Sequence, residues 1–145
     1  MCRLSAAARL RMTPHLIPSG DWPRHADRLA SQIARKAAGS GGRWHAEDIE
    51  AAIREGHFRV WTAEDGADVG CVMLTETIEY PRLRALRCVA LVGHRPRRWI
   101  HLLRWVEDVA REQFRCDRIE ALYPRTLGRL LPGFHEFHVL SERAL

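Results

Sequence analysis

The sequence predicts an α+β domain, a mixed and mainly antiparallel sheet with helices on both faces. Three observations carry that expectation. Apolar residues recur at helical spacing in separated blocks, and the runs between them are strand-like and bounded by turn residues. The resulting order of elements is β-α-α-β-β-β-α-β-α-β. A length of 145 residues fits one such domain, which hides roughly two thirds of its unfolded surface.

The first strand is expected over 11–17, ended by Pro18 and Gly20. Asp21 is a capable N-cap for the helix that follows, and Pro23 is tolerated in its first turn. Trp22, Ala26, Leu29, Ile33 and Ala37 lie on one face of that helix, and Gly39-Ser40-Gly41-Gly42 breaks it. A shorter helix is expected over 46–55, with Glu47 and Asp48 at its positive end and Gly56 as its stop. Strands over 58–63, 69–79 and 83–92 form an antiparallel meander, turned by Glu64-Asp65-Gly66 and Tyr80-Pro81-Arg82. Trp99, Leu102, Leu103, Val106, Val109, Ala110 and Phe114 mark an amphipathic helix over 99–114, with Trp105 off the stripe and open to a partner. A short strand over 119–123, a small helix over 126–131 and a last strand over 134–141 complete the order.

Composition narrows the function classes. The chain is 46% hydrophobic and 28% charged, a globular balance that excludes a disordered tail or a coiled-coil rod. No apolar stretch approaches the ~20 residues of a membrane-spanning helix, so a soluble protein without a membrane partner is expected. The net charge is +5, but of 23 basic residues only Lys36 is lysine. Such lopsided usage beside abundant alanine reads as GC-rich coding, and nucleic acid is not the expected partner. Cys2, Cys71, Cys88 and Cys116 have no CxxC spacing and read as reduced thiols. His135 and His138 would point to opposite faces of a strand, and no acid or cysteine pair completes a tetrahedral set, so no metal is expected. Residues 1–11, rich in Arg and Ala, read as a flexible extension before a single domain over 12–145.

A strand over 86–92, the loop from Gly93 to Arg98, the strong helix, the strand beginning at Ile119 and the Gly133-Phe134 pair together resemble the GNAT superfamily of N-acetyltransferases. More narrowly, Ile119-Glu120-Ala121 and Arg125-Thr126-Leu127-Gly128-Arg129-Leu130 are similar to stretches of short GNAT-like proteins encoded by phages and prophages. Arg43-Trp44 and Tyr80-Pro81-Arg82 add to that resemblance. It implies the acyl-CoA N-acyltransferase fold over residues 12–145, acetyl-CoA as cofactor, and a cytoplasmic or virion-associated protein with phage structural proteins as partners.

In the superfamily, the loop before this helix reads Arg/Gln-x-x-Gly-x-Gly/Ala, and its backbone N–H groups cradle the acetyl-CoA diphosphate. The matching stretch is Arg95-Pro96-Arg97-Arg98-Trp99-Ile100. Arg98 stands where the first glycine belongs, and Pro96 removes an amide donor. The candidate cofactor residues are therefore Gly93, His94, Arg95, Arg97, Arg98 and Trp99, with guanidinium forks in place of backbone donors. Counting back from Gly133-Phe134 puts Arg129 at the family's tyrosine position, which leaves Tyr123 as the substitute acid and Glu76 as the candidate base. The leading function is a phage-type GNAT-like protein with a degenerate acetyl-CoA site, acting by binding or within a virion. The alternatives are an active N-acetyltransferase that transfers acetyl to a protein or small amine, and a basic nucleic-acid-binding domain.

Overall fold

The computed structural model of the chain describes residues 12–121 and 143–144. Its sheet runs in sequence order through β1 (Thr13–Ile17), β2 (Arg59–Asp65), β3 (Asp68–Glu79), β4 (Arg84–Gly93) and β5 (Arg118–Ala121). The first four strands pair antiparallel, and β5 joins β4 in parallel. A parallel neighbour needs a crossover, which α3 (Leu103–Glu112) provides. The other long connection, from β1 to β2, holds α1 (Trp22–Ala38) and α2 (Ala46–Arg54). The α+β architecture with helices on both faces is the one the sequence predicts. The helix expected over 126–131 and the strand over 134–141 lie outside the described residues, as do Tyr123, Arg129, His135 and His138.

The two faces of the sheet build separate cores. Leu29 and Ile33 of α1 and Ile49 and Ile53 of α2 bury against Val60, Val72, Leu74 and Ala90. On the opposite face, Val106, Val109 and Ala110 of α3 cover Trp61, Met73, Leu86 and Cys88. Strand alternation assigns the residues to their faces, and each fully buried aliphatic side chain contributes roughly 1.5–3 kcal/mol. Leu86 and Cys88 face α3 while Ala90 faces α1, because Leu74 pairs with Ala90 and the next β3 residue, Thr75, pairs with Cys88. Val89 is thus an extra residue, a β-bulge in the middle of β4. Under that bulge the Trp61 Nε1–H donates to the buried Thr75 hydroxyl at 2.8 Å.

Three local expectations are corrected. Asp21 stands at the N-cap position of α1 as expected, but it ends a 3-10 turn (Ser19–Asp21), its backbone is already helical, and its side chain makes no capping bond. The β2–β3 turn is shorter than Glu64-Asp65-Gly66, because Glu64 and Asp65 stay paired with Val69 and Asp68 and leave only Gly66 and Ala67 to reverse the chain. The helix expected from residue 99 begins at Leu103 and ends at Glu112. Two 3-10 turns, Pro96–Arg98 and Ile100–Leu102, take up its first residues, since Trp99 turns inward with φ −132° between them. Elsewhere the signals hold. Gly39 follows the last residue of α1, the Asp48 carboxylate accepts the His45 N–H at 2.9 Å at the start of α2, and Gly56 leaves that helix at φ +79°.

Candidate functional site at the two ends of β4

The loop after β4 closes on itself and on the β2–β3 hairpin. Gly93 is the point of contact: a Cβ there would stand 2.6 Å from the Gly70 carbonyl oxygen and 3.2 Å from both the Cys71 Cα and the Trp99 ring. Only glycine lets the strands and the indole approach so closely. Trp99 is 4% exposed, packs with Met12, Ala63 and Cys71, and donates its Nε1–H to the His94 carbonyl at 2.9 Å. The His94 N–H in turn donates to the Gly70 carbonyl at 3.0 Å. Arg95 adopts the left-handed conformation at φ +49°, which starts the turn. The Arg98 N–H then donates to the Arg95 carbonyl at 2.9 Å, and the Trp99 N–H to the Pro96 carbonyl at 3.1 Å.

The arginines of this loop do different things. Arg95 and Arg97 are exposed. The Arg98 guanidinium forks instead onto the hairpin, with Nη1 2.7 Å from Asp68 Oδ2 and Nη2 3.0 Å from Asp65 Oδ2. His94 Nε2 stands 3.5 Å from Asp68 Oδ1. Of the six candidate cofactor residues, Trp99 is a core residue and Arg98 is bound within the chain. Gly93 and His94 hold the loop to β3 through their backbones. Asp65 and Asp68 were not singled out in the sequence, although an acidic pair at a hairpin facing an arginine-rich loop is the signal that marks them.

At the other end of β4, charges line up across three strands. Glu76 of β3, Arg87 of β4 and Glu120 of β5 are direct register partners, and strand alternation from Val72 and Leu74 puts Glu76 on the α1/α2 face. Arg87 Nε donates to Glu120 Oε2 at 3.0 Å, while its Nη1 lies 3.7 Å from Glu76 Oε1. The Tyr80 hydroxyl donates to Glu120 at 2.6 Å and accepts from Arg87 at 3.0 Å. That donation to Glu120 holds the phenol above its ordinary value of 10. Glu76, the candidate base, thus faces an arginine across the strand. Tyr123 lies outside the described residues. Arg87, Glu120 and Tyr80 were not read as site residues in the sequence because only strand pairing brings Arg87 between Glu76 and the Glu120–Tyr80 pair.

Other chemistry is sparse. Burial pushes the Cys71 thiol far up, aided by Cys88, and pushes Cys88 up to about 12, so neither supplies a thiolate near neutrality. Trp105, expected to face a partner, stacks edge-on against Trp61 with ring centroids 5.5 Å apart. Among the described residues no group of three or more His, Cys, Asp or Glu is placed to hold a metal ion, and no helix is long and apolar enough to cross a membrane.

A five-stranded sheet joined by a β-α-β crossover through α3, with two helices on the other face, is the GNAT acetyltransferase fold. Solved structures bear this out. A ribosomal-protein-alanine N-acetyltransferase from Brucella melitensis biovar Abortus 2308 is similar at 17% identity and a TM-score of 0.66, over 92% of this chain and 97% of that one. An aminoglycoside acetyltransferase from an uncultured soil metagenomic sample, in complex with sisomicin, is 11% identical with a TM-score of 0.66, over 92% of this chain and 96% of that one. A predicted acetyltransferase from Clostridium acetobutylicum, solved with acetyl-CoA, is 11% identical with a TM-score of 0.59, over 92% of this chain and 96% of that one. No protein-family model matches the chain, and no curated protein matches it. At these identities the likeness speaks for the fold alone.

Proposed function

We propose that this chain is a GNAT-fold binding domain with a degenerate acetyl-CoA site, working through association with other proteins rather than through acetyl transfer. One observation carries the reading: the guanidinium that would have to grip the diphosphate, Arg98, is held by Asp65 and Asp68, while Trp99 fills the space at Gly93. Acetyl-CoA fits the remaining residues poorly. Pro96 has no N–H, and the Arg98 and Trp99 amides are spent on the carbonyls of Arg95 and Pro96. The resemblance to short phage proteins supports phage structural proteins as the partners, and it predicts the chain in purified virions by mass spectrometry.

A thermal-shift titration tests the core of this reading. A ligand at 100 times its dissociation constant adds ~2.7 kcal/mol, which moves the midpoint on the order of 10 °C in a domain of this size. The expected result is no shift with acetyl-CoA or CoA at millimolar concentration; a saturable shift with acetylation of an amine overturns the proposal.

The row of charges on β3, β4 and β5 favours a second reading, an N-acetyltransferase acting on a protein or small amine. In it Glu76, reached by solvent beside Arg87, takes the proton from the amine. Glu76→Gln then abolishes turnover while leaving the melting temperature unchanged.

A further inference from the structure

Asp65 and Asp68 are register partners at the mouth of the β2–β3 hairpin, one on each strand. Like charges placed directly opposite each other destabilise a hairpin unless a cation bridges them. Arg98 is that cation, and it arrives from the loop after β4, thirty residues and more further along the chain. Its side chain is 14% exposed, whereas those of Asp65 and Asp68 are 55% and 44% exposed. Arg98 is therefore the covered member of the three, with each Nη atom on a carboxylate. A planar fork that engages two neighbouring anionic centres meets the same demand a diphosphate would make of it.

We propose that Asp65 and Asp68 are an internal occupant of the anion grip at Arg98, an autoinhibitory latch that excludes diphosphate-bearing ligands while the two carboxylates hold its guanidinium. The inference rests on reading this loop as closed, and it adds what closes it. The hairpin backbone is fixed by the pairing of β3 with β4 and by the His94 N–H to the Gly70 carbonyl at 3.0 Å, so the latch works through side chains, with the His94 ring 3.5 Å from Asp68 as a further contact. Arg95 and Arg97, both exposed, lie within three residues of the latched guanidinium. Releasing Arg98 therefore leaves three arginines within four positions of one loop free to meet an anion. A partner that neutralises the two carboxylates would open the same grip.

The test is isothermal titration of the whole chain with inorganic pyrophosphate and with coenzyme A at fixed ionic strength. Asp65→Asn/Asp68→Asn is expected to bind pyrophosphate at least tenfold more tightly than the unaltered chain, and adding Arg98→Ala on that background is expected to remove the gain. Glu47→Gln/Glu112→Gln raises the net charge equally at two exposed positions far from the loop and is expected to change nothing. The single variant Asp68→Asn, which leaves Asp65 to hold the hairpin, gives a smaller gain of the same sign and serves if the double variant does not fold. Equal affinity in the latch variants and the unaltered chain, or a gain matched by the Glu47/Glu112 control, overturns the latch. Acetyl-CoA turnover by the unaltered chain overturns the proposed function instead, so the two failures are distinguishable.

Discussion

Two arginines of this fold are each held between two carboxylates, and they illustrate how differently one motif can behave. Arg98 sits at the loop end of β4 with both contacts direct, in the loop where Trp99 packs against a glycine that admits no side chain. Arg87 sits at the opposite end with its side chain 31% exposed, one contact at 3.0 Å and the other stretched to 3.7 Å. The first ties two loops together across a close backbone approach. The second is a solvent-reached row of charges across three strands of the sheet. Burial and backbone fit separate them, since exposed ion pairs on their own contribute only about 0–1 kcal/mol.

The strongest way to break that contrast is to empty the loop end. Trp99→Ala is expected to cost about 3–5 kcal/mol in chemical denaturation, from lost burial and the cavity left behind. Next comes Gly93→Ala, whose Cβ meets backbone atoms of Gly70 and Cys71 and is expected to cost about 1–3 kcal/mol. Gly70→Ala should cost less, because the nearest atoms its Cβ meets are the flexible end of Met12. Equal losses at the two glycines would show that the close approach at Gly93 has no special role.

At the open end, Arg87→Ala and Glu120→Gln are each expected to change stability by about 1 kcal/mol or less, and that loss should shrink with salt. A larger, salt-independent loss would place Arg87 in the same class as Arg98.

A third pair sharpens the scale. Glu64 on β2 is 12% exposed, bonded by Arg28 of α1, and accepts the Thr62 hydroxyl at 2.6 Å. Burial pushes its carboxyl up, but the Arg28 and Thr62 hydrogen bonds and the Arg28 and His15 charges outweigh it and hold the group below its ordinary value of 4.5. A depressed folded value means the carboxylate stabilises the fold fully above pH 4.5, and that contribution is lost as pH falls through the lower folded value. Urea midpoints measured downward from pH 5 should therefore fall more steeply for the unaltered chain than for Glu64→Gln.

Much of the fold was legible because it depends on periodicity. The apolar stripes of α1 and α2 and the alternation in β3 and β4 reflect burial on one face, a signal carried by residue type alone. The start of α3 was misjudged for the same reason: Trp99 falls at a helical interval from Leu102, Leu103 and Val106, yet it serves a different core with Met12, Ala63 and Cys71. At the candidate site, the sequence pointed to the loop and to the missing glycines. That Arg98 is already partnered was signalled only by the acids flanking the hairpin turn, a weak sign because Asp65 and Asp68 are distant from it in the chain.

By itself the amino-acid order determined which segments become helices and strands, that the helices cover both faces of the sheet, and that the turn from Arg95 to Trp99 is poor in glycine and lacks one amide hydrogen at Pro96. Those are properties of short stretches, set by side-chain spacing and backbone chemistry. Only the tertiary structure decided which carboxylates meet which arginines and which tryptophan packs against Gly93. Such pairings depend on sheet register and on the bulge at Val89, long-range choices that no local window of sequence contains.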